Sequence, residues 1–123
     1  MRFFKRGESA DSKFTFLDSA TGIPVNVINP IYRVVHYEGA VEVIHVADTP
    51  LTKVVGREGE YVCTWEIPTN IAENETYFVI ATGTHPIDQS FTLIEDFYRV
   101  LPINFFAGGI GGPGGMTIKF TKA

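Results

Sequence analysis

The side chains with the means to do chemistry are few: His36, His45, His85, Cys63, and Glu95 beside Asp96. His36 and His45 stand in "IYRVVHY" and "VEVIHVA", which read as two strands of a hairpin turning at Glu38-Gly39-Ala40. Cross-strand neighbours can approach within about 5 Å, so this pair is the best placed to share a metal. No His-x-His, Cys-x-x-Cys or carboxylate-rich cluster supports it. Three histidines scattered over strand surfaces is the plainer reading, and no metal or other cofactor is expected. Cys63 lies in "YVCTWEI" on the strand face of Trp65, where burial raises the thiol pKa and makes it inert. As the single cysteine, it also excludes an intrachain disulfide. Glu95 and Asp96 are adjacent, so on a strand they point to opposite faces and cannot easily share acid–base work, which needs two carboxyls about 5–10 Å apart across a cleft. No Gly-x-Ser-x-Gly elbow is present. No catalytic residue is expected, and the chain reads as non-enzymatic.

One phosphate motif matches in form. Gly109, Gly111 and Gly114 satisfy G-x-G-x-x-G within "GGIGGPGGMTIKFTKA". A dinucleotide site needs a strand before the motif, a helix after it and an acidic residue about 20 positions on, because the helix N-terminus holds the pyrophosphate. Only nine residues follow Gly114, and they alternate like a strand. A glycine-rich run is otherwise a flexible coil. Gly108, Gly109, Gly111, Gly112, Gly114 and Gly115 therefore read as a tether. The tethered piece is an amphipathic strand with Met116, Ile118 and Phe120 on one face, suited to adding to a sheet edge.

The elements that must position these residues are strands. No window shows convincing 3.6-residue periodicity. "KFTFLDS" alternates, "DSATGIP" is turn chemistry, and "PVNVINP" reads as a strand closed by Pro30. "REGEYVCTWEIP" turns at Glu58-Gly59 into a strand. "TYFVIATG" is apolar on both faces, the mark of a central strand, and "SFTLIEDFYRVLP" is a long one. Seven or eight short strands at this spacing predict an all-β antiparallel sandwich of immunoglobulin-like type. Trp65 is expected in the inter-sheet core near Phe16, Val34, Tyr77, Val79 and Phe91. The expected division is an N-terminal arm at 1–12, the sandwich at 13–102, and the tether and C-terminal strand at 103–123. Phe3 and Phe4 sit in the arm among Arg2, Lys5 and Arg6. They either fold back on the body, dock on a neighbouring subunit or touch a membrane; with Met116, Ile118 and Phe120 they are the candidate subunit contacts.

The totals bound the partners. The 123 residues make one domain, 45% hydrophobic, with a formal net charge of −4. No basic cluster marks a nucleic-acid surface. No apolar run approaches the roughly 20 residues that span a bilayer, and "MRFFKRGESADS" lacks the apolar core of a secretory leader. The "NET" sequon at Asn74 then reads as chance.

The order "FTFLDSATGIPV", "NPIYRVVHYEG", "GEYVCTWEIP", "TYFVIATGTHP", "EDFYRVLP" resembles the small immunoglobulin-like virion proteins of tailed bacteriophages. The matching positions are Asp18, Thr21, Gly22 and Pro24 of a D-x-x-T-G-x-P turn, Trp65, Ile67 and Pro68 of W-x-I-P, and Tyr77, Phe78 and Val79 of Y-F-V. These are turn and core motifs spanning about 14–102. The resemblance implies a structural protein made in the host cytoplasm and carried in the virion. It would be present in several copies as a head–tail connector, collar, capsid decoration or tail component. Its partners would be other virion proteins and copies of itself, with neither nucleic acid nor membrane, and it brings no catalytic residues. The alternative is a carbohydrate- or cell-surface-binding sandwich, whose loops "ADTPLTKVVGRE" and "GTHPIDQ" offer His85, Asp88 and Gln89.

Overall fold

The computed structural model describes residues 1–102, and every regular element there is a strand. In chain order these are β1 (Arg2–Phe4), β2 (Ser9–Thr15), β3 (Ile28–Glu38), β4 (Val41–Pro50), β5 (Thr52–Lys53), β6 (Glu60–Glu66), β7 (Glu75–Thr84) and β8 (Phe91–Val100). They form a five-stranded sheet, β1-β8-β7-β3-β4, and a three-stranded sheet, β2-β6-β5. All pairings are antiparallel except β1 with β8. The chain is thus an all-β, two-sheet sandwich, and β7 is the central strand that its two apolar faces predict.

Period-two alternation builds the core. Phe14 of β2, Tyr61, Cys63 and Trp65 of β6, Val34 of β3, Tyr77, Val79 and Ala81 of β7, and Tyr98 and Val100 of β8 join in one buried cluster with Phe16. Trp65 lies 5.8 Å from the Tyr77 ring and 6.0 Å from that of Tyr98. Tyr77 gives its hydroxyl to the Ala72 carbonyl at 2.7 Å, which pins the corner leading into β7. Burying each large apolar side chain of such a cluster stabilises by about 1.5–3 kcal/mol.

Three expectations are corrected. Residues 1–12 are not an arm: β1 closes one edge of the larger sheet, and residues 9–12 begin β2, with Ala10 and Ser12 buried. Arg2 fastens this segment, reaching Asp96 Oδ2 at 2.5 Å and the Asp11 carbonyl at 2.6 Å, while Ser12 also donates to Asp96 at 2.7 Å. Pro30 does not close a strand. It lies inside β3 beside Asn29, whose φ is 55°, where the pairing with β7 slips between Ile28 and Ile31; such an irregularity accommodates a residue with no N–H. Phe91 is not in the core but 68% exposed, because Ile94, Tyr98 and Val100 point inward on β8 and odd-numbered positions therefore point out.

The hairpin turn forms as expected, with Glu38 opposite Val41 and Gly39 at a φ of 67°, the positive value a two-residue turn needs at its first position. β4 then slips twice against β3. One extra residue, His45, stands between the pairs Val35–Ile44 and Val34–Val46, and another separates Val34–Val46 from Tyr32–Thr49. Bulges twist an edge strand away from further pairing.

Candidate interaction surface

The first bulge aims His45 at His36. His36 Nδ1 lies 2.6 Å from His45 Nε2, and His36 Nε2 lies 3.0 Å from Glu38 Oε2. A carboxylate only accepts, so His36 Nε2–H donates to Glu38 and His36 Nδ1 accepts from His45 Nε2–H in the neutral pair. Two imidazoles on one tetrahedral zinc keep their nitrogens about 3.3 Å apart; 2.6 Å is a hydrogen bond. Among the described residues no group of three His, Cys, Asp or Glu could hold a metal. His36 is buried, whereas His45 is exposed yet lies 5.2 Å from the Tyr77 ring and 6.1 Å from Trp65. Burial of its imidazole first, and the neighbouring His36 second, push the His45 pKa down.

His85 is equally committed. Its Nδ1 accepts from the backbone of Ile87 at 3.1 Å and Asp88 at 3.3 Å, so Nε2–H donates to Asp18 at 2.9 Å. The Asp18 carboxyl is held below its usual range by His85 first and by the Ala20 and Thr21 amides next. With both ring nitrogens engaged, His85 braces two loops and has no lone pair for proton transfer. The recess beside it, about 30 Å³ and lined in part by Phe16, Leu17, Val27 and Thr92, holds about one water. Trp65, the one ring able to stack strongly on a sugar, is 7% exposed. Cys63 is buried, and burial pushes its thiol up to about 11.

The ends divide. Phe4 packs edge-on against Tyr98 at 5.2 Å, whereas Phe3 is 52% exposed, so β1 folds one ring back and leaves the other on the surface. The tether glycines and Met116, Ile118 and Phe120 lie outside the described residues.

What sequence reasoning missed is the outer face of the five-stranded sheet. The register aligns Phe97, Phe78, Val35 and Ile44 in one row across β8, β7, β3 and β4. Leu93, Thr82, Ile31 and Pro50 form a second row, and Phe91, Thr84 and Ile28 a third. Tyr37 stands against Phe78 with ring centroids 5.3 Å apart, and Phe97 lies 5.9 Å from it on the other side. Val35 and Ile80 are at most 1% exposed although they stand outside the inter-sheet core cluster; side chains of their own sheet enclose them. Phe91, Leu93, Phe97, Tyr37 and Ile44 remain 36–68% exposed. The solvent face of an antiparallel sheet is ordinarily polar. The signal was available in "FTLIEDFYRV", whose odd and even positions are both apolar-rich.

Fold and surface together define a two-sheet β protein whose largest unusual feature is an apolar sheet face. No protein-family model, curated protein or solved structure matches the chain.

Proposed function

We propose that this chain is a non-enzymatic structural subunit that works by binding neighbouring subunits, as an immunoglobulin-like virion protein of a tailed phage in the neck or collar or on the capsid or tail surface. The observation that carries the assembly reading is the apolar outer face, since contiguous exposed apolar surface marks protein–protein contact. The chemically capable residues support it by their engagement: both ring nitrogens of His36 and of His85 are spoken for, and the thiol is buried.

The immunoglobulin-like detail draws support from strand order. β8-β7-β3-β4 against β2-β6-β5 follows the G-F-C-C′ and B-E-D arrangement of that fold. The Tyr77–Ala72 bond, at the start of the strand corresponding to F, is similar to the tyrosine corner of that fold. The buried Trp65 departs from the pattern, standing on the strand corresponding to E rather than C. The virion placement rests on the resemblance of the turn and core motifs, whose parts have local roles: Gly22 N–H donates to the Asp18 carbonyl at 2.7 Å, and Thr21 Oγ1 accepts from Ile23 N–H at 3.2 Å.

The test is sedimentation of the full chain over a wide concentration range, alongside a glycan array. Self-association without glycan binding is expected. A chain that stays monomeric at its solubility limit and retains a glycan overturns the assembly reading in favour of the ligand-binding alternative.

A further inference from the structure

We propose that the outer face of the five-stranded sheet joins two copies of this chain about a twofold axis running along β7, a proposal that rests on the assembly reading and names its partner and geometry. β7 is third of the five strands in β1-β8-β7-β3-β4, so rotation about it lays β8 on the partner copy's β3 and β1 on its β4. No strand is left without an opposite.

The row through the centre supplies the charge argument. Glu95, Ile80 and Arg33 are aligned across β8, β7 and β3. Glu95 is exposed on this face and forms no ion pair among the described residues. It is near enough to Tyr37 for its charge to help raise that phenol's pKa, after burial and Glu42. Arg33 gives Nε and Nη2 to Glu42 at 3.1 and 2.9 Å, which leaves Nη1 for another acceptor. A twofold along β7 sets each Glu95 over the other copy's Arg33, twice per interface, on either side of Ile80, which the side chains of its own sheet cover. In the next row Phe97 lies over Val35 and Phe78 over Phe78; in the row on the other side Leu93 lies over Ile31. Thr82 meets itself on the axis of that last row; elsewhere in these rows apolar residues face apolar ones, and the one unpaired acid of the centre meets the one base. A contact of this kind is isologous, the commonest symmetry of soluble oligomers.

The extent is sufficient. Four strands of about ten residues, spaced about 4.8 Å with about 3.3 Å per residue, project to roughly 600 Å². Corrugation by aromatic side chains raises the accessible area toward the roughly 800 Å² per partner of a standard interface.

The test uses the full chain and two charge-exchanged variants. One is Glu95→Arg. The other is Arg33→Glu with Glu42→Arg, which keeps the intrachain pair with its signs exchanged. Each alone places like charges opposite one another and weakens the dimer at least tenfold by sedimentation. An equimolar mixture restores opposite charges at both contacts, so native mass spectrometry finds the heterodimer at near wild-type abundance. Circular dichroism melts establish that each variant is folded. Should the double variant not fold, Phe78→Cys on the axis is treated with a short bis-maleimide; it cross-links to itself, whereas Val55→Cys, on an exposed loop, does not. Variants that self-associate like the wild type, or a mixture that stays monomeric, overturn this interface while leaving assembly through another surface standing. A wild-type chain that never self-associates overturns this interface, and one that also retains a glycan overturns the assembly reading with it.

Discussion

Replacing Trp65 by alanine tests the core. The indole is 7% exposed and is enclosed by Tyr77, Tyr98 and the imidazole of His45. A tryptophan of this burial removes roughly 200 Å² from water, worth about 5 kcal/mol at about 25 cal/mol per Å²; the extended-chain reference makes that an upper figure. Measured truncations of large aromatics in cores cost about 3–5 kcal/mol. A domain of this size holds roughly 5–15 kcal/mol in total, so the loss takes about a fifth or more of it. At about 4–8 °C per kcal/mol, the melting temperature should fall by roughly 15–30 °C. The assay is far-ultraviolet circular dichroism against temperature, because the variant removes the only tryptophan and with it the fluorescence signal. Trp65→Phe, which keeps a ring between Tyr77 and Tyr98, should lose distinctly less. A fall smaller than about 5 °C in the alanine variant would refute the placement of Trp65 as the pivot between the sheets.

Three further outcomes follow from single residues. Gly59→Ala should cost at least about 1–2 kcal/mol in urea titration, since Gly59 sits at a φ of 72° and a Cβ there would stand 2.8 Å from the Val25 nitrogen and 2.9 Å from the Phe16 carbonyl oxygen; an unchanged midpoint rejects this. Tyr98→Phe should leave stability equal or raise it by about 1 kcal/mol, because the buried hydroxyl has no hydrogen-bond partner among the described residues, and a clear loss would reveal a partner. Because His45 is depressed in the folded state, the unfolded chain binds the proton more readily below its ordinary pKa of 6.5. Stability should therefore decline as pH falls from about 7 toward 5, above the range where the carboxylates titrate, and His45→Gln should flatten that decline; equal slopes for both proteins would sink the assignment.

The strands with strong alternation were legible, and so was the sandwich they form. "YVCTWEI" announced the inward face of β6, and "TYFVIATG" announced a central position, because residues buried on both faces must be apolar at both parities. The N-terminal strands were not legible for a physical reason. β2 turns Ala10 and Ser12 inward, and such small residues carry little hydrophobic contrast, while β1 is three residues long and flanked by charge. Phe91 was misplaced because both parities of β8 are apolar, so periodicity could not say which one faces the smaller sheet. The approach of His36 to His45 was foreseeable from the hairpin. The bulge that brings them to hydrogen-bonding distance was not, since no glycine or proline marks it.

The two unusual features of the larger sheet have a common origin in the mismatch of layers. Three strands cannot cover five. β2, β6 and β5 close over the middle of the inner face, where Tyr77, Val79 and Tyr98 are fully buried, and β4 lies at the far edge of the larger sheet. There His45 remains exposed although it points toward Trp65 and Tyr77. A plain valine or isoleucine in that place would leave apolar surface at the seam; a histidine bonded to His36 offers a polar tip to water and an aromatic body to the core. The outer face has no such compromise. Its apolar rows run across β8, β7, β3 and β4, and the polar side chains among them are Glu95, the Arg33–Glu42 pair, Thr82, Thr84 and, toward one end, Arg99 with Thr76. A monomer gains little from the exposed parts of that pattern, since Phe91, Leu93 and Phe97 remain 42–68% exposed and raise the risk of indiscriminate association. The pattern makes sense for a sheet with a second layer to meet, and one acid and one base placed symmetrically about β7 fit the second copy proposed above.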